Sequence, residues 1–185
     1  IYGKDVAFLK GKSRASPAKD HLADFQAVAL PPELLSLQPK VTLCFDIFYV
    51  LDLTISLSTS RNIRYLSCRP MADRNKGTIK ACIAADLKIY QERGFEPTEI
   101  HADGEYDALK GLFGNVHFSI CSADDHVPEA ERAIRTVKET IRATIHGMPY
   151  KRLPRVMVRD LVEFAARTIN MLPSSDGVSD TMSPE

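Results

Sequence analysis

The sequence predicts an α/β fold with five strands and four helices in the order βββαβαβαα. Three observations carry that reading. Apolar and alternating runs fill residues 41–68, the apolar period switches from 2 to 3.6 near residue 79, and two longer helical stripes follow a pair of short strands. The chain has 185 residues, 44 % of them hydrophobic and 26 % charged, which is ordinary globular composition with length enough for one domain and its core.

Residues 1–40 read as an arm or linker with room for one short helix, interrupted by Pro31-Pro32 and Pro39. Residues 41–173 form the core and 174–185 a tail. The run VTLCFDIFYV, residues 41–50, is almost wholly apolar and rich in β-formers, as in a strand covered on both faces. Leu51, Leu53, Ile55 and Leu57 then alternate with Asp52, Thr54, Ser56 and Ser58, which predicts a second strand with one face in water. Ser60-Arg61-Asn62 is turn-forming, and residues 63–68 make a third strand, so an antiparallel meander is expected.

Ile79, Cys82, Ile83, Leu87 and Tyr90 recur at helical spacing, and Gly94 ends that helix. Residues 97–102 form the fourth strand and run into Asp103; a short helix over 105–111 and a fifth strand over 116–120 follow. Asp125 is placed to cap a long helix with Pro128 in its first turn. Its apolar stripe is Ala130, Ile134, Val137, Ile141 and Ile145. The last helix, about Pro154 to Met171, turns Val158, Leu161, Val162, Ala165, Ile169 and Leu172 to the core.

Twenty-four Lys and Arg balance 24 Asp and Glu, which argues against a wholly basic nucleic-acid binder but leaves local patches open. The four cysteines form no C-x-x-C pair, and no histidine pair has zinc-ligand spacing, so a structural zinc is not expected. Cys44 and Cys82 sit in apolar patterns, as buried thiols of a reducing intracellular compartment do. There is no signal-peptide pattern and no apolar run long enough to span a bilayer, so no membrane partner is expected. The chain begins at Ile1 rather than Met and is expected to be a piece of a longer polypeptide.

Asp46 is the most informative residue, because a carboxylate inside an apolar strand needs a cation, a hydrogen-bond network or a metal. An arginine partner, or a strand end that reaches water, would satisfy it equally. Asp103 ends the fourth strand before Gly104, a combination that also makes ordinary turns. Glu131 lies in the first turn of the long helix, where any acid is favoured, and Glu129 competes with it. Together the three acids supply hard oxygen donors suited to Mg²⁺ or Mn²⁺, and carboxylates sharing two such ions form the clamp used in phosphoryl transfer. Arg135, Lys138 and Arg142 follow Glu131 on one helix face, and residues 132–159 hold eight Lys or Arg against the single acid Glu139. A basic region beside an acidic site suits phosphate binding; a solvated helix face is the plainer alternative.

Three blocks resemble the acidic motifs of the retroviral-type integrase core, and most closely those of copia-like LTR retrotransposon integrases. They are Phe45-Asp46-Ile47, His101-Ala102-Asp103-Gly104-Glu105-Tyr106 and Val127-Pro128-Glu129-Ala130-Glu131-Arg132. Glu131-Arg132 matches the family's closing pair, which favours Glu131 over Glu129. Residues 165–173, with Asn170 and Pro173 in an N-x-x-P turn, and Ser183-Pro184 resemble the end of this region, and residues 11–14 resemble its basic linker.

The resemblance implies a ribonuclease-H-like fold, a mixed five-stranded sheet flanked by helices. It implies a polynucleotidyl transferase that trims and joins double-stranded element DNA ends to target DNA. Asp46, Asp103 and Glu131 would bind two Mg²⁺ or Mn²⁺ ions, with Arg135, Lys138 and Arg142 on DNA phosphates and Glu105 and His126 in support. A homo-oligomer acting in the nucleus is expected, as part of a polyprotein. Two departures stand out: only 27 residues, 104–130, separate Asp103 from Glu131, and the second block lacks the family's Asn after its Asp. A decayed or domesticated copy that binds DNA or a partner without catalysis is the alternative.

Overall fold

The computed structural model describes residues 32–121, 127–150, 152–174, 177–179 and 181–184. The basic cluster at 10–14, Asp125 and His126 lie outside them. The elements are α1 (Pro32–Leu37), β1 (Lys40–Val50), β2 (Leu53–Ser60), β3 (Leu66–Met71), α2 (Lys76–Glu92), β4 (Glu96–Ala102), a 3-10 helix (Gly104–Leu109), β5 (His117–Ile120), α3 (Pro128–Gly147) and α4 (Arg155–Asn170). Their order after α1 is the one expected.

The five strands form one mixed sheet in the order β3-β2-β1-β4-β5. β1 pairs antiparallel with β2 and parallel with β4; β2–β3 is antiparallel and β4–β5 parallel. Alternation along β1 divides its side chains between two cores. Cys44, Phe48 and Val50 join Leu53, Ile55 and Leu57 of β2 against Val137, Ile141, Val158 and Val162 of α3 and α4. Leu43 and Phe45 join Ile79, Ile83, Leu87 and Tyr90 of α2 on the other face, with Tyr106 and Leu109 of the 3-10 helix. Each such buried aliphatic or aromatic side chain contributes about 1.5–3 kcal/mol against its exposed state.

Gly94 ends α2 as expected, at φ +85°, the left-handed region that favours glycine. Gly94 N–H donates to Gln91 O and Phe95 N–H to Tyr90 O, and the Tyr90 and Phe95 rings meet at 6.5 Å. These are the two bonds and the apolar contact of a Schellman ending. At the other end Asn75 Oδ1 accepts the Thr78 N–H at 2.8 Å, capping the helix.

Several expectations are corrected. Residues 51–52 are not strand but the two-residue β1–β2 connection, since Val50 pairs Leu53 and Leu51 has φ +52°. The polar side of β2 is not in water: Ser56, Ser58 and Ser60 are buried, because α2 covers that face. The third strand starts at Leu66 rather than residue 63, because Ser60 and Tyr65 close a turn through Arg64, which has φ +64°. Pro32 opens α1 instead of breaking a helix, as a proline without an N–H can at a first turn. The cap position of α3 is Val127, not Asp125, and Pro128 occupies the first turn as expected. Ile134 and Ile145 are only partly buried, and Leu172 is exposed beyond the end of α4.

The asparagine of the N-x-x-P turn has a structural reason. Asn170, buried at the end of α4, accepts the Leu66 N–H at 2.9 Å and donates to Leu66 O at 2.8 Å. It thereby pins the outer strand β3, whose Pro70 is tolerated because β3 pairs on one side only.

Candidate active site

The parallel pair β1–β4 sets the site. Cys44 pairs His101, so two residues further Asp46, midway along β1, comes beside Asp103, just past the carboxyl end of β4. Ligands of open α/β sheets gather at such ends. Asp46 lies between Cys44 and Phe48 in the alternation and so shares the face packed by α3. Glu131 is in the first turn of that helix, its N–H bonded to Val127 O at 3.0 Å.

One open cleft is lined by Asp46, Asp103, Glu131, Arg135, Lys138 and Arg142, with Ile47, Phe48, Tyr49 and Ile134. The three expected acids and the three expected cations therefore line one cleft, although they come from three separate parts of the chain. Helical spacing explains the cations: residues 131, 135, 138 and 142 repeat at 4, 3 and 4 on one face. Lys138 Nζ sits 5.6 Å from the centroid of the buried Phe48 ring, which holds its ammonium at the cleft. Arg142 Nε is bonded back to Lys138 O at 3.2 Å.

The acids are partly anchored. Asp46 Oδ1 accepts the Ile47 N–H at 2.6 Å. Asp103 caps the 3-10 helix by accepting the Glu105 N–H at 3.1 Å. Glu129 belongs elsewhere. It pairs with Arg61 at 3.0 Å and lines a neighbouring cleft with Arg64 and Arg132. Burial pushes the Glu129 carboxyl up, but a backbone hydrogen bond and the Arg61 guanidinium outweigh it and hold the group below its ordinary range.

Glu105 does not line the cleft; both its oxygens are held by Arg74, through Nε at 2.9 Å and through Nη2. Arg74 also donates to the Tyr49 hydroxyl at 2.6 Å. Neither Arg74 nor Tyr49 was among the expected site residues. Arg74 stands in a turn between Asp73 and Asn75 where no periodicity marks it. Tyr49 sits inside the apolar run 41–50, where an aromatic residue reads as core. Tyr106 is fully buried, and desolvation first, then the carboxylates Asp103, Asp46 and Glu105, push its phenol up, so it stays neutral.

The donor set is of the right type for a hard divalent cation, oxygen on every side chain. Among the described residues, no three His, Cys, Asp or Glu side chains are gathered closely enough to hold a metal ion. Thiol chemistry is disfavoured: Cys44, Cys68 and Cys82 are free and buried, and burial pushes Cys44 up to about 11 and Cys68 up to about 12.

No protein-family model matches this chain, and no curated protein does. Solved structures do. The catalytic core domain of BIV integrase aligns at TM-score 0.54 and 14 % identity, over 77 % of this chain and 90 % of that one. The HTLV-2 integrase catalytic core domain, in a complex with magnesium described as a trimeric form, aligns at TM-score 0.56 and 16 % identity, over 80 % of this chain and 95 % of that one. The chain has the ribonuclease-H-like fold of these retroviral integrase cores. No helix among the described residues is long and apolar enough to cross a membrane.

Proposed function

We propose that this domain is an integrase catalytic core of a copia-like LTR retrotransposon, which trims element DNA ends and joins them to target DNA. One observation carries the reading. Asp46, Asp103 and Glu131 arrive from β1, the end of β4 and α3 and line one cleft with Arg135, Lys138 and Arg142. That is an oxygen-donor site facing a row of cations, the arrangement a phosphodiester needs on its two sides.

Asp46, Asp103 and Glu131 would hold Mg²⁺ or Mn²⁺. Bound there, the ions would supply Lewis acidity toward a phosphodiester and lower the pKa of the attacking hydroxyl. The rest falls to the chain itself. Lys138 holds a DNA phosphate as a point charge and Arg135 through its guanidinium fork, and with Arg142 they balance the carboxylates' negative field. Asp103 ties the ligand corner to the 3-10 helix, so the strand end and its carboxylate move together. The similarity to an integrase core complexed with magnesium supports the choice of metal.

The second reading is a copy that keeps the fold and binds DNA without cutting it. The short segment between Asp103 and Glu131, only 27 residues, favours it. End-joining of a labelled duplex in Mn²⁺ separates the two. Joined product that disappears in Asp46→Asn supports the enzyme; salt-sensitive binding with neither cleavage nor joining supports the inactive copy. Hydrolysis without joining would point to a nuclease on the same fold.

A further inference from the structure

We propose that Arg64 and Arg132 form a second DNA contact, a clamp on the duplex backbone in the cleft along the other flank of α3. The choice of DNA as its ligand rests on the reading of the acidic cleft given above.

At 3.6 residues per turn, Glu129, Arg132, Ala133 and Thr136 fall on the flank of α3 away from Glu131, Arg135 and Lys138. They line a cleft of their own with Thr59, Arg64, Leu66, Ile169 and Ser174, at the junction of α3 with the β2–β3 turn and the end of α4. Its charges are unequal. Glu129 is the one carboxylate among the described lining residues, and Arg61 already holds it at 3.0 Å. Two further guanidiniums, half-buried Arg64 and exposed Arg132, line the same cleft and leave it a cationic surplus.

The turn that carries Arg61 and Arg64 is fixed before any ligand arrives. Arg61 N–H donates to Thr42 O at 3.0 Å, Arg64 N–H to Ser60 O at 3.1 Å and Tyr65 N–H to Ser60 Oγ at 3.0 Å. The tail closes over it, with Val178 N–H on Asn62 O at 3.1 Å. Guanidinium forks on rigid backbone suit the oxygens of a phosphate. No aromatic side chain lines the cleft, so nothing there stacks a base, and the phosphodiester is the part it fits. Glu131 and Arg132 are successive residues, so the two clefts lie side by side across one helix, about 10–12 Å wide. A strand advancing about 3.4 Å per nucleotide crosses that width in about three nucleotides. One backbone can therefore occupy both clefts, and the hold is independent of sequence.

The test uses the whole chain without metal and a short duplex. NMR of the arginine Nε–H groups reads contact, and anisotropy against salt reads charge. The Arg64 and Arg132 signals should shift as duplex is added. Arg64→Gln and Arg132→Gln should each lower the slope of log affinity against log salt by about one. Glu129→Gln, which removes the carboxylate that holds Arg61, should tighten binding about threefold. Circular dichroism checks the fold of each variant, and the wild-type spectra need no variant. Shifts at Arg135 with none at Arg64 and Arg132 overturn the clamp and leave the integrase reading standing, as do unchanged slopes in both glutamine variants. Equal shifts from inorganic phosphate at the same phosphate concentration make the cleft a free-anion pocket and overturn the backbone assignment. Shifts and lowered slopes without Mn²⁺-dependent joining support the clamp and sink the catalytic reading.

Discussion

Two acidic sites flank the same sheet, and they are built in opposite ways. Asp86, on α2, is 1 % exposed and fully supplied from within. Ser58 Oγ donates at 2.7 Å, Ser67 Oγ at 2.8 Å and Arg69 Nε at 2.6 Å. The cleft on the other face is lined by two half-buried carboxylates and one exposed one, with its cations along one helix. A buried carboxylate with an internal cation and hydroxyls has its charge balanced for structure. Carboxylates lining an open cleft can take balancing charge from a bound ligand. Acid content alone does not separate the two; the source of the balancing charge does.

Substitutions should split along that line. The largest effect is expected at the cleft. Asp46→Asn or Asp103→Asn should lower metal-dependent DNA joining by about 10³-fold, several kcal/mol of lost charge stabilisation, with thermal stability held or slightly raised as repulsion is relieved. Gel assays and melting curves read the two quantities. Asp86→Ala should do the reverse. It leaves the buried Ser58 hydroxyl and the one-third-exposed Arg69 without their acceptor and should cost about 3 kcal/mol, read by denaturant titration, while metal affinity of the surviving folded fraction stays unchanged.

Asn170→Ala is next. It leaves the buried Leu66 N–H and C=O without their partner and should cost about 1–3 kcal/mol. Hydrogen exchange should show β3 loosening first, which is the local signature separating it from Asp86→Ala.

Smaller still is each cleft cation. Arg135→Ala and Lys138→Ala should each weaken DNA binding across sequences and reduce the slope of log affinity against log salt by about one. The smallest effect lies outside both sites, at Glu129. Its carboxyl is held below the ordinary 4.5, so its contribution to stability is present above that value and is lost as pH falls through the lower folded value. Glu129→Gln should flatten the acid limb of the stability curve below pH about 4.5 by less than about 1 kcal/mol.

The cleft was legible from sequence because each of its parts leaves a one-dimensional trace. Asp46 interrupts an apolar run, Asp103 ends a strand, and residues 131, 135, 138 and 142 repeat at helical spacing. The Asp86 site was not, because its partners look like solvent-facing residues. Ser56 and Ser58 alternate with leucine and isoleucine as a wet strand face would, and nothing local shows that α2 lies over them. One signal was available: Asp86 stands among Cys82, Ile83, Leu87 and Tyr90 on the apolar stripe, an acid at a core position. The Arg74–Glu105–Tyr49 link has no such trace, since it joins a turn, a 3-10 helix and a strand end through side chains alone. The hairpin at Leu51 was missed for a similar reason, as leucine rarely takes φ +52° and marks no turn by type.

The central claim is that the carboxylates of Asp46, Asp103 and Glu131 form a divalent-metal site. Anomalous diffraction from crystals soaked in millimolar Mn²⁺ tests it most directly. The account predicts anomalous density in the cleft within ligand distance of Asp46 and Asp103, absent from Asp46→Asn crystals. Manganese bound only away from the cleft, or unchanged in Asp46→Asn, would contradict it.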